Sequence, residues 1–415
     1  MVLNVPKLRF PEFSGEWEEK HLGDIITLMQ SGLSRKLDEK DIGLPVLRSN
    51  NLINNKLDIS NISYWYDIDD KGANLENYFL KKGDLLVNFI NSLKQIGKIA
   101  IYNGELKRNS IFTTNIMRLR FKKDINEIYI YNHFQTKKYS DYIQSITKPA
   151  VNQASFTTVD FKRFKLGISS IPEQKKIASF LSKVDEKIEK LEKKQELWET
   201  YKKGMMQKIF SQELRFKDEN GGDYSDWEEK RLGDISQLTS SKRVYLADYA
   251  KKGIPFYRGK EISSLKKGEL IDDLLYISEE RYGNFKDKFG VPKENDILIT
   301  SVGTLGNVYR VPNNEPFYFK DGNLIWMKNI LEYSHFVEYA LEFNKKKILS
   351  SSIGSTQKAL TIIELNKIKI LLPCISEQKK IVNLISAIDA KIEQTIKELD
   401  INKKFKMGLL QQLFC

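Results

Sequence analysis

The sequence predicts an α+β chain built as a tandem duplication. Two similar bodies of mixed sheet and helix are joined by two long coiled-coil helices that pair antiparallel, giving a pseudo-two-fold internal repeat. Three observations predict it. The segment EQKKI stands at 173–177 and again at 377–381. Segments far from it also recur in the same order. Within each copy, short runs of β-branched and aromatic residues alternate with amphipathic stretches.

The repeat runs through the whole chain. LRFPEFSGEWEEKHLGDI (8–25) answers LRFKDENGGDYSDWEEKRLGDI (214–235), and GLPVLRSNNL (43–52) answers GIPFYRGKEI (253–262). GDLLVNF (83–89) answers NDILITS (295–301). NQASFTTVDFKRFKLGI (152–168) answers TQKALTIIELNKIKILL (356–372), and YKKGMMQKIF (201–210) closes as FKMGLLQQLF (405–414). The stretches 54–77 and 264–282 hardly match. A shared frame with divergent insides suggests one job done on two different targets. The expected segments are a first body at 1–171, a helix at 172–212, a second body at 213–375 and a helix at 376–415.

In each body, DLLVNF, KIAIY and NIMRLRF, then DILIT, NVYRV and NLIWMK, predict strands of a twisted sheet. INEIYIYNHFQTKKYSDYIQSI and LEYSHFVEYALEFNKKKILSSS predict helices. Asp84 and Asp296 hold matched positions after a turn and before a strand. Structural turn residues describe them better than metal ligands do.

The long helices follow. Ile177, Leu181, Val184, Ile188 and Leu191 keep a 4-3-4-3 spacing, the seam of a coiled coil. Ile381, Ile385, Ile388, Ile392 and Leu399 form the second seam. Pro172 suits a first turn, and Ser376 is expected as an N-cap. Thr395 stands where the first copy has Leu191, and Asn402 where it has Trp198. Such swapped polar and apolar positions favour one helix packing on the other within the chain. Gly204 and Gly408 are expected to break both helices before their apolar ends.

Composition bounds the function. The net charge of +12 favours an anionic partner, nucleic acid foremost. Cys374 and Cys415 cannot build a disulfide framework or a four-ligand zinc site. No run approaches the ~18 apolar residues of a membrane span, and the N-terminus has no signal-peptide pattern. A reducing cytoplasm is the natural expectation. There is no G-x-x-x-x-G-K-[S/T], no Asn-Pro-Pro-aromatic tetrapeptide, no H-E-x-x-H, no paired Cys-x-x-Cys and no G-x-S-x-G.

The loops carry side chains that suit phosphates and base edges. In the first body the candidates are Ser34, Arg35 and Lys36, then Arg48, Asn50 and Asn51. Lys94 and Gln95 follow, and Lys148, Asn152 and Gln153 close the set. In the second body they are Lys242 and Arg243, Arg258 and Lys260, Thr304, and Thr356, Gln357 and Lys358. Polar loops are common; recurrence at matched positions gives these their weight.

The doubled helix openings PEQKKIASFLSKVDEKI and SEQKKIVNLISAIDAKI, with the GLLQQLF-like ends, resemble the specificity subunits of type I restriction-modification systems. The resemblance covers essentially the whole chain. It implies two target-recognition domains, each reading one half of an asymmetric double-stranded DNA target, about one helical turn apart, ~10 bp centre to centre. It implies helices that set the spacing and dock two methyltransferase subunits, and through them motor-endonuclease subunits. The chain itself would be non-catalytic and hold no cofactor or metal. S-adenosylmethionine, ATP and Mg2+ would serve adenine methylation and cleavage in the partners. Two other readings stay open: a DNA-binding scaffold or regulator outside restriction, and a self-contained nuclease or methyltransferase. Co-purification of a methyltransferase separates the first reading from both.

Overall fold

The computed structural model describes residues 5–150, 153–354 and 358–414. It divides into two compact units. One holds the residues up to Lys193 together with those from Ile396 onward, and the other runs from Lys194 to Thr395.

The first unit is built on a four-stranded antiparallel sheet in the order Ile26–Ser31, Ile116–Phe121, Leu85–Asn88, Ile99–Ile101. These strands are the expected apolar runs, and Leu85, Val87, Ile99 and Leu119 are fully buried. A smaller sheet pairs Leu44–Leu47 with Ile111–Phe112 in parallel and with Ser63–Trp65 antiparallel. Glu18–His21 pairs with Lys165–Ile168, bringing the start of the body beside its end. Several small sheets therefore replace the single sheet expected.

The second unit repeats this plan. Its four-stranded sheet runs Gln237–Thr239, Leu324–Lys328, Ile297–Thr300, Val308–Arg310. Ile254–Tyr257 pairs in parallel with Tyr318–Phe319, and Glu228–Arg231 pairs with Lys369–Leu372. The copies part company where the sequences do. The first has a tight hairpin of Leu52–Ile53 with Lys56–Leu57, carrying Asn54 and Asn55 at positive φ. The second has the helices Gly259–Lys267 and Glu279–Phe289 in the corresponding stretch.

The aspartates before the central strands are turn residues. Asp84 accepts from the Lys81 N–H at 2.8 Å and pairs with Arg120. Asp296 accepts from the Lys293 N–H at 2.9 Å and from the Trp326 indole at 2.8 Å.

The long helices span Ile171–Phe210 and Ile375–Leu413, 40 and 39 residues. Neither breaks at Gly204 or Gly408, contrary to expectation. A helical glycine costs about 1 kcal/mol, and the apolar side chains beyond it outweigh that. Met206, Ile209 and Phe210 are buried in the core of the second unit, and Leu409, Leu410, Leu413 and Phe414 in that of the first. Ser376 is not an N-cap either, because the helix already includes Ile375.

Each core is thus completed by the end of the other repeat's helix. In the first unit Ile188, Leu191 and Leu399 pack together, with Val184 partly buried against them. Asp185 pairs with Lys406 at 2.6 Å. In the second unit Ile381 and Ile385 pack in the cluster that holds Ile209 and Phe210, and Asp389 pairs with Lys202 at 2.6 Å. In both, numbers rise along one helix as they fall along the other, so the pairing is antiparallel. Ile177, Leu181 and Ile388 are buried at the seam, while Ile392 is half-exposed. The polar seam residues satisfy themselves locally. Buried Thr395 donates to the Lys391 carbonyl and Asn402 to that of Glu398, both at 2.7 Å.

The Glu-Gln at each helix start explains the repeated motif. Glu173 is buried and takes two hydrogen bonds from Arg9 at 2.7 and 2.8 Å; Glu377 holds Arg215 the same way at 3.3 and 2.8 Å. Gln174 accepts from the Asn126 N–H at 2.9 Å and donates to the carbonyls of Asp124 and Ser169 at 3.2 and 2.8 Å. Gln378 accepts from the Tyr333 N–H at 3.0 Å and donates to the Pro373 carbonyl and Glu332, both at 2.8 Å. One side chain pins the chain's entry to the body, the next pins the sheet-to-helix turn.

Candidate nucleic-acid interface

In the first unit, three separated loops meet at one open groove of about 340 Å3. The turn after Ile26–Ser31 brings Ser34 and Arg35. The end of Leu44–Leu47 brings Arg48, Ser49 and Asn50. The link between Ile111–Phe112 and Ile116–Phe121 brings Thr113, Thr114 and Asn115. The parallel pairing of Leu47 with Phe112 sets the last two side by side.

The second unit has a groove of about 640 Å3 at the matching place. Arg258 and Lys260 follow the strand Ile254–Tyr257, and Asn323 precedes Leu324–Lys328, as Asn115 precedes its own strand. Thr304 forms the far wall, its hydroxyl 3.4 Å from Ser263 Oγ. Ser263 also accepts from Asn307 Nδ2 at 3.0 Å, which ties the 301–307 turn to the helix. The segment 258–261 is the start of the helix Gly259–Lys267 and not the expected loop, because the Glu261 side chain caps the Arg258 N–H at 2.8 Å.

The candidates divide by what their side chains already do. Ser34, Lys36 and Asn50 are exposed, and Arg48 is half-exposed. Arg35 is committed: its guanidinium bridges both oxygens of Asp69 at 2.6 and 2.8 Å. That pairing holds the Asp69 carboxyl far below the ordinary carboxylate range. Asn51 is buried, with its amide N–H groups on the carbonyls of Asp58 and Asn61, so it shapes the turn. Arg258 is bound to buried Glu261 at 2.6 Å. Burial raises the Glu261 carboxyl, but the hydrogen bonds from Arg258 outweigh it and leave its pKa below the ordinary value.

Other candidates lie outside the grooves. Lys94 and Gln95 sit on the turn after Ile90–Asn91, Lys148 on the strand Lys148–Pro149 and Gln153 just before Ala154–Ser155; the three strands form one small sheet. Lys242 lies over the Phe289 ring at 4.9 Å, and exposed Arg243 is 3.6 Å from Asp321. Lys358 is exposed beside the Ile353–Ala359 bridge. Asn152, Thr356 and Gln357 lie outside the described residues. Thr113, Thr114, Asn115 and Asn323 escaped the sequence reading. Their one signal was position, immediately before the strands that centre each sheet.

No helix among the described residues is long and apolar enough to cross a membrane. No group of three or more His, Cys, Asp or Glu among them could hold a metal ion.

Comparison with known proteins places this architecture. The family model for the type I restriction modification DNA specificity domain matches twice, at residues 14–199 and 224–400. A Methanocaldococcus jannaschii chain, provisionally named the type I restriction enzyme MjaX specificity subunit, is 33% identical, covering 99% of this chain and 95% of its own. The type I restriction enzyme MjaIX specificity subunit of the same organism is 29% identical, covering 80% and 77%. Among solved structures, the type I restriction-modification S subunit from M. genitalium shares the fold, with a TM-score of 0.59 at 18% identity over 99% of both chains. With two matches to the family model that follow the duplication, and a full-length relative, the chain belongs to the type I restriction-modification specificity subunit family.

Proposed function

We propose that the chain is the DNA-reading, non-catalytic subunit of a type I restriction-modification complex. The first body reads one half of an asymmetric bipartite target and the second body reads the other. The observation that carries this reading is the pair of matched grooves. The ends of Leu44–Leu47 and Ile254–Tyr257, each followed by an arginine, and the starts of Ile116–Phe121 and Leu324–Lys328, each preceded by an asparagine, frame both, while the other side chains differ: Ser34, Asn50 and Thr114 in one, Lys260, Ser263 and Thr304 in the other. Amides, hydroxyls and cations are the groups that take phosphates and base edges.

The helices set the spacing of the readers and dock two methyltransferase subunits. Two exposed apolar pairs support such docking. Leu197 and Tyr201 stand one turn apart on the first helix, and Ile401 and Phe405 occupy the same places on the second. A partner present in two copies would need one site in each repeat. The methyltransferases use S-adenosylmethionine to methylate adenine. Motor-endonuclease subunits, using ATP and Mg2+, join through them. The complex works in the cytoplasm on double-stranded DNA.

The test is co-expression with the partner methyltransferase in a host free of both, followed by sequencing of modified bases. A bipartite methylated motif is expected only when both chains are present. Methyl transfer by the purified chain alone would refute the reading.

A further inference from the structure

The two grooves share a backbone device and differ in its charge. Arg48 ends the strand Leu44–Leu47, and its backbone N–H donates to Asn51 Oδ1 at 2.8 Å. Arg258 ends the strand Ile254–Tyr257, and its backbone N–H donates to Glu261 Oε2 at 2.8 Å. In both, an arginine on the groove wall stands three residues before the side chain that caps its backbone.

In the second unit that cap is an acid, and it also takes the guanidinium. Arg258 Nη2 lies 2.6 Å from Glu261 Oε1, and Nε lies 3.1 Å from Oε2. In the first unit the cap is an amide, whose N–H groups are spent on two carbonyls. It offers Arg48 no counter-charge. The groove's other arginine, Arg35, is bound to Asp69. Among the described residues, no acidic side chain lines this groove. The Arg48 guanidinium has no ion-pair partner among the described residues, and its Nε is shut from water without a hydrogen bond.

A partly desolvated guanidinium without a counter-ion is stabilised by a ligand that accepts from it, and because the Nε is closed off, the terminal Nη groups are the ones left to donate. The neighbours say what kind of ligand. Asn50, Thr114 and Asn115 are neutral donors and acceptors, suited to base edges, and the second cation that would make a phosphate cradle is already neutralised. We propose that Arg48 reads a guanine in one half of the target, donating bidentately to O6 and N7, whereas Arg258 is a positioning residue that shapes its groove and reads no base. The proposal rests on the DNA-reading function above. It assigns unlike roles to two arginines that the repeat places in register. The second half-site is then left to Lys260, Ser263, Thr304 and Asn323.

The test uses the full chain in complex with its partner methyltransferase, bound to a randomised duplex library and sequenced. Selection of a bipartite motif by the parent complex checks DNA reading itself; no selection there would refute that reading, separately from the roles of the arginines. Arg48→Ala should then flatten preference for guanine at one position of one half by roughly 5- to 150-fold, the span of one bidentate pair. The other half should be unchanged. Arg48→Lys should weaken that preference, and with it the affinity for the guanine-bearing site, since one ammonium does not reproduce the planar guanidinium fork. Arg258 is tested as R258A/E261Q, because removing Arg258 alone would leave a buried carboxylate unpaired. The double variant should keep both halves of the motif. Overturning results are a uniform loss for R48A with a salt slope smaller by about 0.9, the mark of a phosphate contact, an unchanged R48A motif, or a motif altered by R258A/E261Q.

Discussion

Gln174→Ala should loosen the first body from its helix and leave the second body intact. Gln174 is fully buried and makes three hydrogen bonds, to Asn126 N–H, Asp124 C=O and Ser169 C=O. Each is worth about 1 kcal/mol net, so truncation should cost about 3 kcal/mol, with three backbone groups left unpaired. A chain of two units need not unfold in one step, so a global unfolding free energy is a poor readout. Hydrogen exchange resolves the site. Amides around 124–130 and 166–170 should exchange roughly 100-fold faster, since 1.4 kcal/mol is a factor of ten. Their counterparts at 331–337 and 370–374 should not change. Gln378→Ala should give the mirror result, and Lys175→Ala, at an exposed neighbour, should change neither. Unaltered exchange in Gln174→Ala, or equal loosening of both units, would refute the pinning role of the repeated dipeptide.

His133 should make the first unit acid-sensitive. Its ring is buried against Phe414, with centroids 4.8 Å apart, and burial, helped by Lys138, lowers its pKa to about 3. The unfolded chain takes up the proton near pH 6.5, so this contribution is full above that pH and falls as the folded ring stays neutral. Between pH 6.5 and 4.5 the loss is about 2 kcal/mol. Exchange at 127–134 and 409–414, corrected for intrinsic rates, should show this loss in the parent and not in His133→Leu; equal acid sensitivity in both would exclude His133 as its source. For the docking surface, Ile401→Asp/Phe405→Asp should remove one methyltransferase from the complex, and Leu197→Asp/Tyr201→Asp the other, as read by native mass spectrometry. Retention of both partners in either variant would place docking elsewhere.

Much of the fold was legible because it lies in periodicity and repetition. The seam Ile177, Leu181, Ile188, Leu191 announced a coiled coil, and the swapped polar positions at Thr395 and Asn402 pointed to helix packing on helix. Strands such as Leu85–Asn88 and Ile297–Thr300 stood out as bounded apolar runs. What failed was local inference against tertiary packing. Gly204 and Gly408 read as breaks, yet Phe210 and Phe414 are held by cores built elsewhere in the chain. The site was legible only as a set of loops. Nothing local showed that the Arg35 guanidinium is bound to Asp69, 34 residues away in sequence. Nor did anything local show that the Asn51 amide is spent on Asp58 and Asn61. Thr113–Asn115 were passed over because their place on the groove follows from the parallel pairing of Leu47 with Phe112, which no short motif encodes.

If one duplicated frame carries two independent readers, either can be exchanged without the other. Replacing residues 26–152 with the corresponding segment of another family member puts this to the test. The second body is untouched, and the seam residues lie outside the exchange. The hybrid, co-expressed with its methyltransferase, would be scored by sequencing modified adenines across a genome. One half of the methylated motif should change while the other half stays as it was. A motif that changes in both halves, or loses the second half while the hybrid still binds its partner, would mean that the two bodies do not read independently.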